Sequence, residues 1–155
     1  MNIRPYASAD LDALRQLFQE TVLAINRRDY TQAQVEAWAS SANDRSRWVD
    51  RLAAHHFVAV AEIDSQIVGF AELEASGHID CFYCHKDFQN QGIGTQLLDR
   101  LEAEARSIHL PQLFTEASIT AKPFFERRGF QVVRSQQVER LGQIFTNFQM
   151  TKSLS

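Results

Sequence analysis

The sequence predicts an α/β protein of the α+β kind, with a mostly antiparallel central sheet of about six or seven strands flanked by helices. Apolar residues recur with a helical period in the N-terminal third and again after residue 92. Short strand-like runs separated by turn residues follow one another from residue 57 onwards. Helices and strands therefore come in groups, unlike the strict alternation of a doubly wound parallel sheet.

The N-terminal third is predicted to hold one strand and three helices. The strand covers residues 2–6, and each helix follows a residue suited to capping its first turn. These candidate caps are Ser8 or Asp10, then Thr31, then Asp44. The side of the third helix that is expected to face the core carries Trp48, Val49, Leu52 and Ala53.

Six strands and two helices are predicted in the rest of the chain. The turn Asp64-Ser65 joins the first two strands into a hairpin. A short helix over residues 120–128 stops at Gly129, which suits the left-handed conformation that closes a helix. The strands cover residues 57–63, 66–73, 77–84, 113–117, 130–138 and 143–150. The longer helix presents Ile93, Leu97, Leu98, Leu101, Ala105 and Ile108 on one stripe.

Length and composition indicate one domain that spans residues 1–155. A net charge of −3 argues against nucleic acid as the main partner. No stretch has the ~20 apolar residues of a membrane span, and the first residues lack the apolar core of a secretory signal. Two cysteines are too few for a disulfide scaffold. We expect a cytoplasmic protein without a membrane partner, and a homodimer because such assemblies are common.

A glycine turn is the main candidate for ligand binding. Residues 89–95 read Gln-Asn-Gln-Gly-Ile-Gly-Thr and lie between a predicted strand and a predicted helix. Glycines let backbone N–H groups approach an anion, and a helix start adds a positive dipole. These residues alone are equally compatible with phosphate binding and with a plain tight turn. No Gly-Lys-Ser/Thr follows, which excludes a P-loop, and Leu97 stands where a dinucleotide fingerprint has its third glycine.

Two segments of the chain resemble the GNAT acyltransferase superfamily. Gln89, Gly92 and Gly94 match its acetyl-CoA signature, Gln-x-x-Gly-x-Gly at the start of an amphipathic helix. The segment from Ser118 to Phe130 matches a later family block, in which a small polar residue precedes an alanine, an aromatic pair and Gly-Phe. The resemblance covers nearly the whole chain and is nearest to a bacterial subgroup of undefined substrate.

The resemblance implies an N-acetyltransferase that moves acetyl from acetyl-CoA to the amine of an unidentified small-molecule or peptide acceptor. Transfer is expected by direct attack in a ternary complex, without a metal. The alternative is a non-catalytic sensor that binds acyl-CoA.

Family roles carry over to matching positions. The pyrophosphate is expected on the backbone N–H groups of Gln91, Gly92, Ile93, Gly94 and Thr95, with Gln89 and Asn90 alongside. The strand residues Phe82, Tyr83 and Cys84 are expected to diverge from the next strand and to pair with the pantetheine arm. The remaining expected contacts with this arm and its thiol are Ser118, Phe124 and Phe125.

Phe125 departs from the family pattern. The family often has a tyrosine there, which can protonate the leaving thiolate, whereas phenylalanine has no proton to donate. Either another group supplies the proton or the thiolate leaves unassisted, which its pKa of ~8.5 allows.

Attack by an amine requires its neutral form, so a nearby base is useful at neutral pH. Asp80 and Glu72 are the main candidates, because each is a carboxylate on an otherwise apolar predicted strand. His78 and Glu116 are further candidates, and Tyr83 is a candidate acid. Each carboxylate is equally well explained as a solvent-facing residue on a half-buried strand.

Cys81 to His85 spell Cys-x-x-Cys-His, the pattern of a c-type haem attachment site. Zinc binding with His78 and redox chemistry are two other readings of this stretch. Residues three apart on a regular strand face opposite sides, which favours two buried cysteines without a metal. His55 and His56 are interpreted as residues of a loop and a strand start.

Four aromatic residues before the sheet are most simply core residues. In the family, however, the early helices often form a wall of the acceptor site, so Tyr30 and Trp38 are predicted to bind substrate. Phe145 and Phe148 are predicted to close the other side.

Overall fold

Seven strands and five α-helices follow one another in the predicted order, in a computed structural model that describes residues 1–155. Three 3-10 turns lie at Ser8–Asp10, Asn26–Arg28 and Ser40–Asn43. The helices are α1 (Leu11–Ala24), α2 (Gln32–Ala39), α3 (Arg45–Ala54), α4 (Ile93–Ser107) and α5 (Lys122–Arg127). The strands are β1 (Asn2–Pro5), β2 (Phe57–Ile63), β3 (Gln66–Leu73), β4 (Ile79–Cys84), β5 (Gln112–Ser118), β6 (Gln131–Arg140) and β7 (Gln143–Ser153).

The strands form two antiparallel sheets rather than one. The first has the order β1-β2-β3-β4, and the second has the order β5-β7-β6. The two sheets meet at one parallel bridge between His78 and Phe114. The predicted α+β class and the mostly antiparallel pairing are confirmed, and the seven strands are divided at the junction of β4 and β5.

Two apolar clusters lie on opposite faces of the first sheet. One packs α4 and α5 against it through residues such as Leu97, Leu101 and Phe125. The other packs α1, α2 and α3 against the opposite face, with Leu14 and Trp48 fully buried. Both helical layers bury their apolar stripes, which is the burial that the hydrophobic periodicity predicts.

Two of the predicted helix caps are confirmed. Thr31 Oγ1 accepts a hydrogen bond from the Gln34 N–H at 3.1 Å, and the Gln34 side chain accepts from the Thr31 N–H at 2.7 Å. Asp44 Oδ1 accepts from the Arg47 N–H at 3.2 Å. The prediction for the first helix was wrong, because no side chain caps α1 and Asp10 instead accepts from the Ala7 N–H.

Several predicted boundaries and burials require correction. Strand β4 begins at Ile79 rather than Gly77, because a turn in which Gly77 has φ +98° precedes it. Val49 is 41% exposed and Ile108 lies beyond the end of α4, so neither belongs to the buried stripe. Gly129 does adopt the predicted left-handed conformation, with φ +92° after α5. None of the helices has the length and apolar character required to cross a membrane.

Gly77 and Gly142 provide a matched test of the turn that precedes β4. Both have positive φ, but a Cβ at Gly77 would collide with the backbone carbonyl of Gln112, whereas one at Gly142 meets nothing within 4 Å. Gly142→Ala should lower the free energy of unfolding by about 1 kcal/mol from backbone strain alone. Gly77→Ala should cost at least about twice as much. Urea denaturation measures both, and equal losses would contradict the close approach of this turn to β5.

Candidate active site

A cleft of about 510 Å³ lies where β4 and β5 diverge. The strands are joined near their beginnings, where the Phe114 N–H donates to Gly77 O at 3.1 Å and Thr115 Oγ1 donates to Ile79 O at 3.0 Å. Beyond these bonds the strands belong to separate sheets and no backbone bond links them. The divergence expected from the family resemblance is therefore present, and it leaves one edge of β4 unpaired.

The phase of the β4 hydrogen bonds determines which groups face the cleft. The His85 N–H donates to Val68 O across the β3 side. Because alternate residues of an antiparallel strand bond to the same neighbour, Phe82 and Cys84 direct their backbone groups towards the open edge. Cys84 O accordingly accepts from Thr21 Oγ1 at 3.1 Å. The open edge offers N–H donors to a ligand in extended conformation.

The glycine turn presents unpaired N–H groups at the other end of the cleft. The first backbone bond of α4 runs from the Gln96 N–H to Gly92 O at 3.2 Å, and the N–H groups of residues 90–95 donate to no protein acceptor. Gly92 has φ +81° and Asn90 has φ +59°. Successive residues that alternate between left-handed and right-handed backbone form a concave surface of N–H groups that suits an anion. An array of free N–H groups at a helix start fits a diphosphate.

Two residues at this turn have structural tasks. The Gln89 amide donates to Cys84 O at 2.8 Å and to His85 O at 3.1 Å, which fastens the turn to the end of β4. A Cβ at Gly94 would lie 3.0 Å from Phe124 Cε1, so this glycine permits the close packing of α4 against α5. Both residues line the cleft.

Arg127 and Arg128 add positive charge beside the turn, which the sequence analysis did not assign. Both line the cleft, and Arg128 Nε donates to Thr95 Oγ1 at 3.1 Å. Neither guanidinium forms a salt bridge with a protein carboxylate. A pair of arginines followed by the helix-closing Gly129 is the sequence signal that identifies them.

Aromatic rings line the middle of the cleft. Phe82 lies 5.4 Å from Phe124 and 5.5 Å from Phe125 between ring centroids. Phe125 is only 2% exposed, and its ring contacts that of Phe130 at 5.0 Å. Ser118 Oγ accepts from the Ala121 N–H at 3.0 Å, which leaves its own proton free to donate. The four residues that were predicted to lie in this region all line the cleft: Phe82, Ser118, Phe124 and Phe125.

A β-bulge places Asp80 at the cleft. The register pairs Leu73 with Ile79 and Ala71 with Phe82, so two residues of β4, Asp80 and Cys81, oppose one residue of β3. A bulge reorients side chains and increases the local twist. The Asp80 side chain is 31% exposed and lines the cleft.

Glu72 lies opposite this bulge and does not reach the cleft. Its carboxylate is 0% exposed and accepts two hydrogen bonds from Arg51, each of 3.0 Å. Glu72 was expected to be either a general base or a solvent-facing residue, and its position corrects both expectations. It is not a solvent-facing residue, and its buried ion pair removes it from direct contact with a ligand in the cleft.

His55 connects the two carboxylates. Its Nε2 lies 2.8 Å from Glu72 Oε1 and 3.1 Å from Asp80 Oδ2. Burial disfavours the charged ring, but the hydrogen bonds to Asp80 and Glu72 outweigh it and raise the pKa of His55 to about 9. Burial would also raise the pKa of Asp80, yet His55 and the charge of Arg51 lower it. Asp80 is therefore ionised at neutral pH.

A second histidine holds another carboxylate at the cleft. His78 Nε2 lies 2.7 Å from Glu116 Oε1, and its Nδ1 lies 2.9 Å from Glu74 Oε1. The hydrogen bond to Glu116, opposed by burial and assisted by Glu74, raises the pKa of His78 to about 9. Glu116 lines the cleft, so the candidates His78 and Glu116 form one ion pair rather than two independent bases.

Tyr83 retains its proton at the cleft. Burial raises its pKa well above the ordinary value, and the ring packs against Phe18 at 5.0 Å and Phe70 at 5.9 Å. A protonated phenol that lines the cleft can donate a hydrogen bond but cannot act as a base.

The two residues that were predicted to bind substrate, Tyr30 and Trp38, lie in different environments. Trp38 lines the cleft, whereas Tyr30 is buried behind it. The Tyr30 hydroxyl donates to Thr146 O at 2.7 Å and accepts from the Ile119 N–H at 2.9 Å. Tyr30 thus anchors the segment after α1 to β7, and the wall that it supports carries Trp38. Phe145 packs on both rings and is buried, so it does not close the far side directly.

The cysteine side chains of the Cys81 to His85 stretch do not come together. Cys81 packs with the cluster under α1–α3, and Cys84 packs with the cluster under α4, so they lie on opposite faces of β4. Burial raises the pKa of Cys84 to about 11. Donor atoms of His55, Glu74 and Asp80 do lie within 4.8 Å of one another. Of these three residues, Asp80 also faces the Arg51 guanidinium at 3.9 Å, and Glu74 pairs with His78.

Comparison with known proteins identifies the family. Residues 26–152 match the family model described as an acetyltransferase (GNAT) domain. The chain belongs to the GNAT family. An uncharacterized N-acetyltransferase of Escherichia coli K12, YafP, is 38% identical over 97% of this chain and 94% of its own length.

Two solved structures extend this comparison. A GCN5-related N-acetyltransferase from Rhodopseudomonas palustris superposes with a TM-score of 0.95 at 34% identity, over 98% of this chain and 94% of that one. PaiA N-acetyltransferase from Thermoplasma acidophilum, solved with coenzyme A, gives a TM-score of 0.79 at 17% identity, over 98% of each chain. The second likeness concerns the fold alone.

Protonated histidines in this GNAT protein should make its stability depend on pH. Histidine titrates near 6.5 in an unfolded chain, whereas folded His55 and His78 keep their protons to about 9. Their contribution is full below about pH 6.5 and is lost as the pH rises through 9. The free energy of unfolding should therefore fall between pH 6.5 and 8, before free thiols ionise.

Urea denaturation at pH 6, 7 and 8 measures this decline. His78→Gln should make the decline shallower, because one of the two contributing groups is removed. A stability that is constant across this range in the wild type would contradict the assigned ion pairs.

Proposed function

We propose that this protein is an acetyl-CoA-dependent N-acetyltransferase that transfers acetyl directly to an amine acceptor in a ternary complex. One observation carries the proposal: a single cleft joins a turn of free N–H groups to the ionised carboxylate of Asp80. The first feature suits the phosphates of the donor and the second suits a cationic acceptor. Membership of an acetyltransferase family supports the same reaction.

The donor is proposed to lie along β4. The N–H groups of residues 91–95 would bind its pyrophosphate, with Arg127 and Arg128 supplying charge. The outward Phe82 C=O and Cys84 N–H groups would pair with the amide groups of the pantetheine arm. Ser118, Phe124 and Phe125 would surround the thiol end. The fit is supported by the unpaired state of those N–H groups, which a bound anion would satisfy.

Replacing Arg128 tests the position of the phosphates. Arg128→Gln should weaken binding of coenzyme A about tenfold or more, because a charge-assisted hydrogen bond is lost. Isothermal titration calorimetry measures the change. Arg134→Gln on the exposed strand β6 is the matched control and should bind normally. Equal affinities for the two variants would refute the assignment of this end of the cleft.

The acceptor is proposed to bind as an ammonium at Asp80. Asp80 would accept a proton from it, and the neutral amine would attack the acetyl carbonyl. Charge that develops on the acetyl oxygen would be stabilised by the outward N–H group of Phe82. The carboxylate has a lowered pKa, so it is better suited to hold the ammonium and to pass its proton to water than to keep the proton.

The leaving thiolate is proposed to receive its proton from Tyr83 or to depart unassisted. Phe125 has no proton to donate, whereas Tyr83 lines the same cleft and its hydroxyl keeps its proton at neutral pH. The family's usual tyrosine would thus be replaced by a hydroxyl on β4.

Replacing Asp80 tests the proposed chemistry. Asp80→Asn should lower kcat/KM for the acceptor about a hundredfold or more, because it removes the negative charge and the proton acceptor. Affinity for acetyl-CoA should stay within about twofold of the wild type, since the phosphate turn is untouched. A thiol-release assay over a panel of amines gives the rate. Asp99→Asn on the exposed face of α4 is the matched control, and a rate loss equal to that of Asp80→Asn would overturn the role of Asp80.

A non-catalytic acyl-CoA sensor is a second candidate, favoured by the absence of a proton donor at Phe125. Both candidates bind acetyl-CoA, so a binding assay does not separate them. Release of coenzyme A that requires an added amine identifies the enzyme. Binding without release for every amine in the panel identifies the sensor.

A further inference from the structure

A chain of paired charges runs from the protein interior to the cleft. It begins at Arg51, whose guanidinium lies 4.1 Å from the centroid of the Trp48 ring. It continues through the bidentate pair with Glu72 to His55, and it ends at Asp80. Of these four residues only Asp80 lines the cleft, so the other three can influence a ligand only through it.

The geometry of His55 restricts its protonation and its role. One ring nitrogen, Nε2, faces both Glu72 and Asp80, so it must carry the proton that both carboxylates accept. The side chain is only 6% exposed, and His55 stands directly after α3. The ring therefore binds Asp80 Oδ2 and leaves the other oxygen of that carboxylate for a ligand.

We infer that His55 is a positioning residue, which holds the Asp80 carboxylate ionised and turned towards the acceptor. This inference rests on the proposed function of Asp80. It assigns a task to a residue whose place in the sequence, between a helix and a strand, suggests only a connecting loop. It also gives the buried Glu72 a task, because Glu72 holds the ring on the side away from the cleft.

Charge balance explains why the carboxylate requires this partner. Arg51 and His55 are positive, Glu72 and Asp80 are negative, and the four charges cancel. Without His55, Asp80 would face the negative Glu72 across the bulge, with only the more distant Arg51 to offset the repulsion. Other titratable groups near these four residues are Tyr6 after β1, Glu74 after β3, His78 before β4, and Cys81 and Tyr83 on β4.

Loss of His55 should therefore have a defined kinetic signature. Asp80 should hold a proton at higher pH, so the acidic limb of the kcat/KM profile for the acceptor should move to higher pH. At pH 7 kcat/KM should fall about tenfold or more. The affinity for acetyl-CoA should stay within about twofold, because the phosphate turn lies at the other end of the cleft.

Two substitutions and a neighbouring control test the inference. His55→Leu removes the donor and the charge, whereas His55→Gln keeps an N–H donor and should restore part of the rate. His56→Leu is the matched control, since His56 is exposed and its nearest carboxylate, Glu104, is 3.9 Å away. The control should keep the wild-type pH profile. A lowered rate in His55→Leu with an unmoved acidic limb would show a merely structural role and would overturn the inference.

A second test measures the ionisation of Asp80 directly and does not require catalytic turnover. Carbon-detected NMR can follow the ionisation of the Asp80 carboxyl in the wild type and in His55→Gln. The Asp80 pKa should lie below that of an ordinary aspartate in the wild type and should rise in the variant. An unchanged Asp80 titration would contradict the inference even if no amine is acetylated, whereas a shifted titration without any acetyl transfer would contradict only the proposed function.

Discussion

The divergence of β4 from β5 is the constraint on which the rest of the site depends. A single parallel bridge and two hydrogen bonds join the strands near their beginnings, and the sheet then splits. A continuous sheet would satisfy the outward groups of Phe82 and Cys84 and would leave no space between the strands. The split leaves the N–H groups of Phe82 and Cys84 without a protein acceptor, exposes Asp80 and opens a path to the start of α4. Binding of the proposed donor and binding of the proposed acceptor therefore both depend on β4 and β5 being adjacent but unpaired.

Opposite charges are placed at opposite ends of this opening. Arg127, Arg128 and the first N–H groups of α4 make one end positive, which suits the phosphates of the proposed donor. Asp80 and Glu116 make the other end acidic, and each is held by a protonated histidine. Because each carboxylate is paired on its inner side only, its outer side remains available to an ammonium. The fold thus separates the two binding tasks by charge along one cleft.

Local features were predictable from the sequence, and features that join distant segments were not. The caps at Thr31 and Asp44 and the helix stop at Gly129 depend on residues within a few positions of each other, so the sequence reveals them. The turn around Gly92 and Gly94 was predictable for the same reason. The link between His55, Glu72 and Asp80 depends on three separate elements and on a bulge in β4. No periodicity in the sequence indicates a bulge, and His55 alone has the context of a loop residue.

An NMR titration with acetyl-CoA tests the central claim most directly. Amide signals of residues 90–95 and of Phe82 and Cys84 should shift together on addition of acetyl-CoA, because the N–H groups of the turn and of the open edge of β4 have no protein acceptor. Signals from the paired strands β6 and β7 should move little. Binding without shifts at the turn and along β4, or no binding at all, would contradict the account.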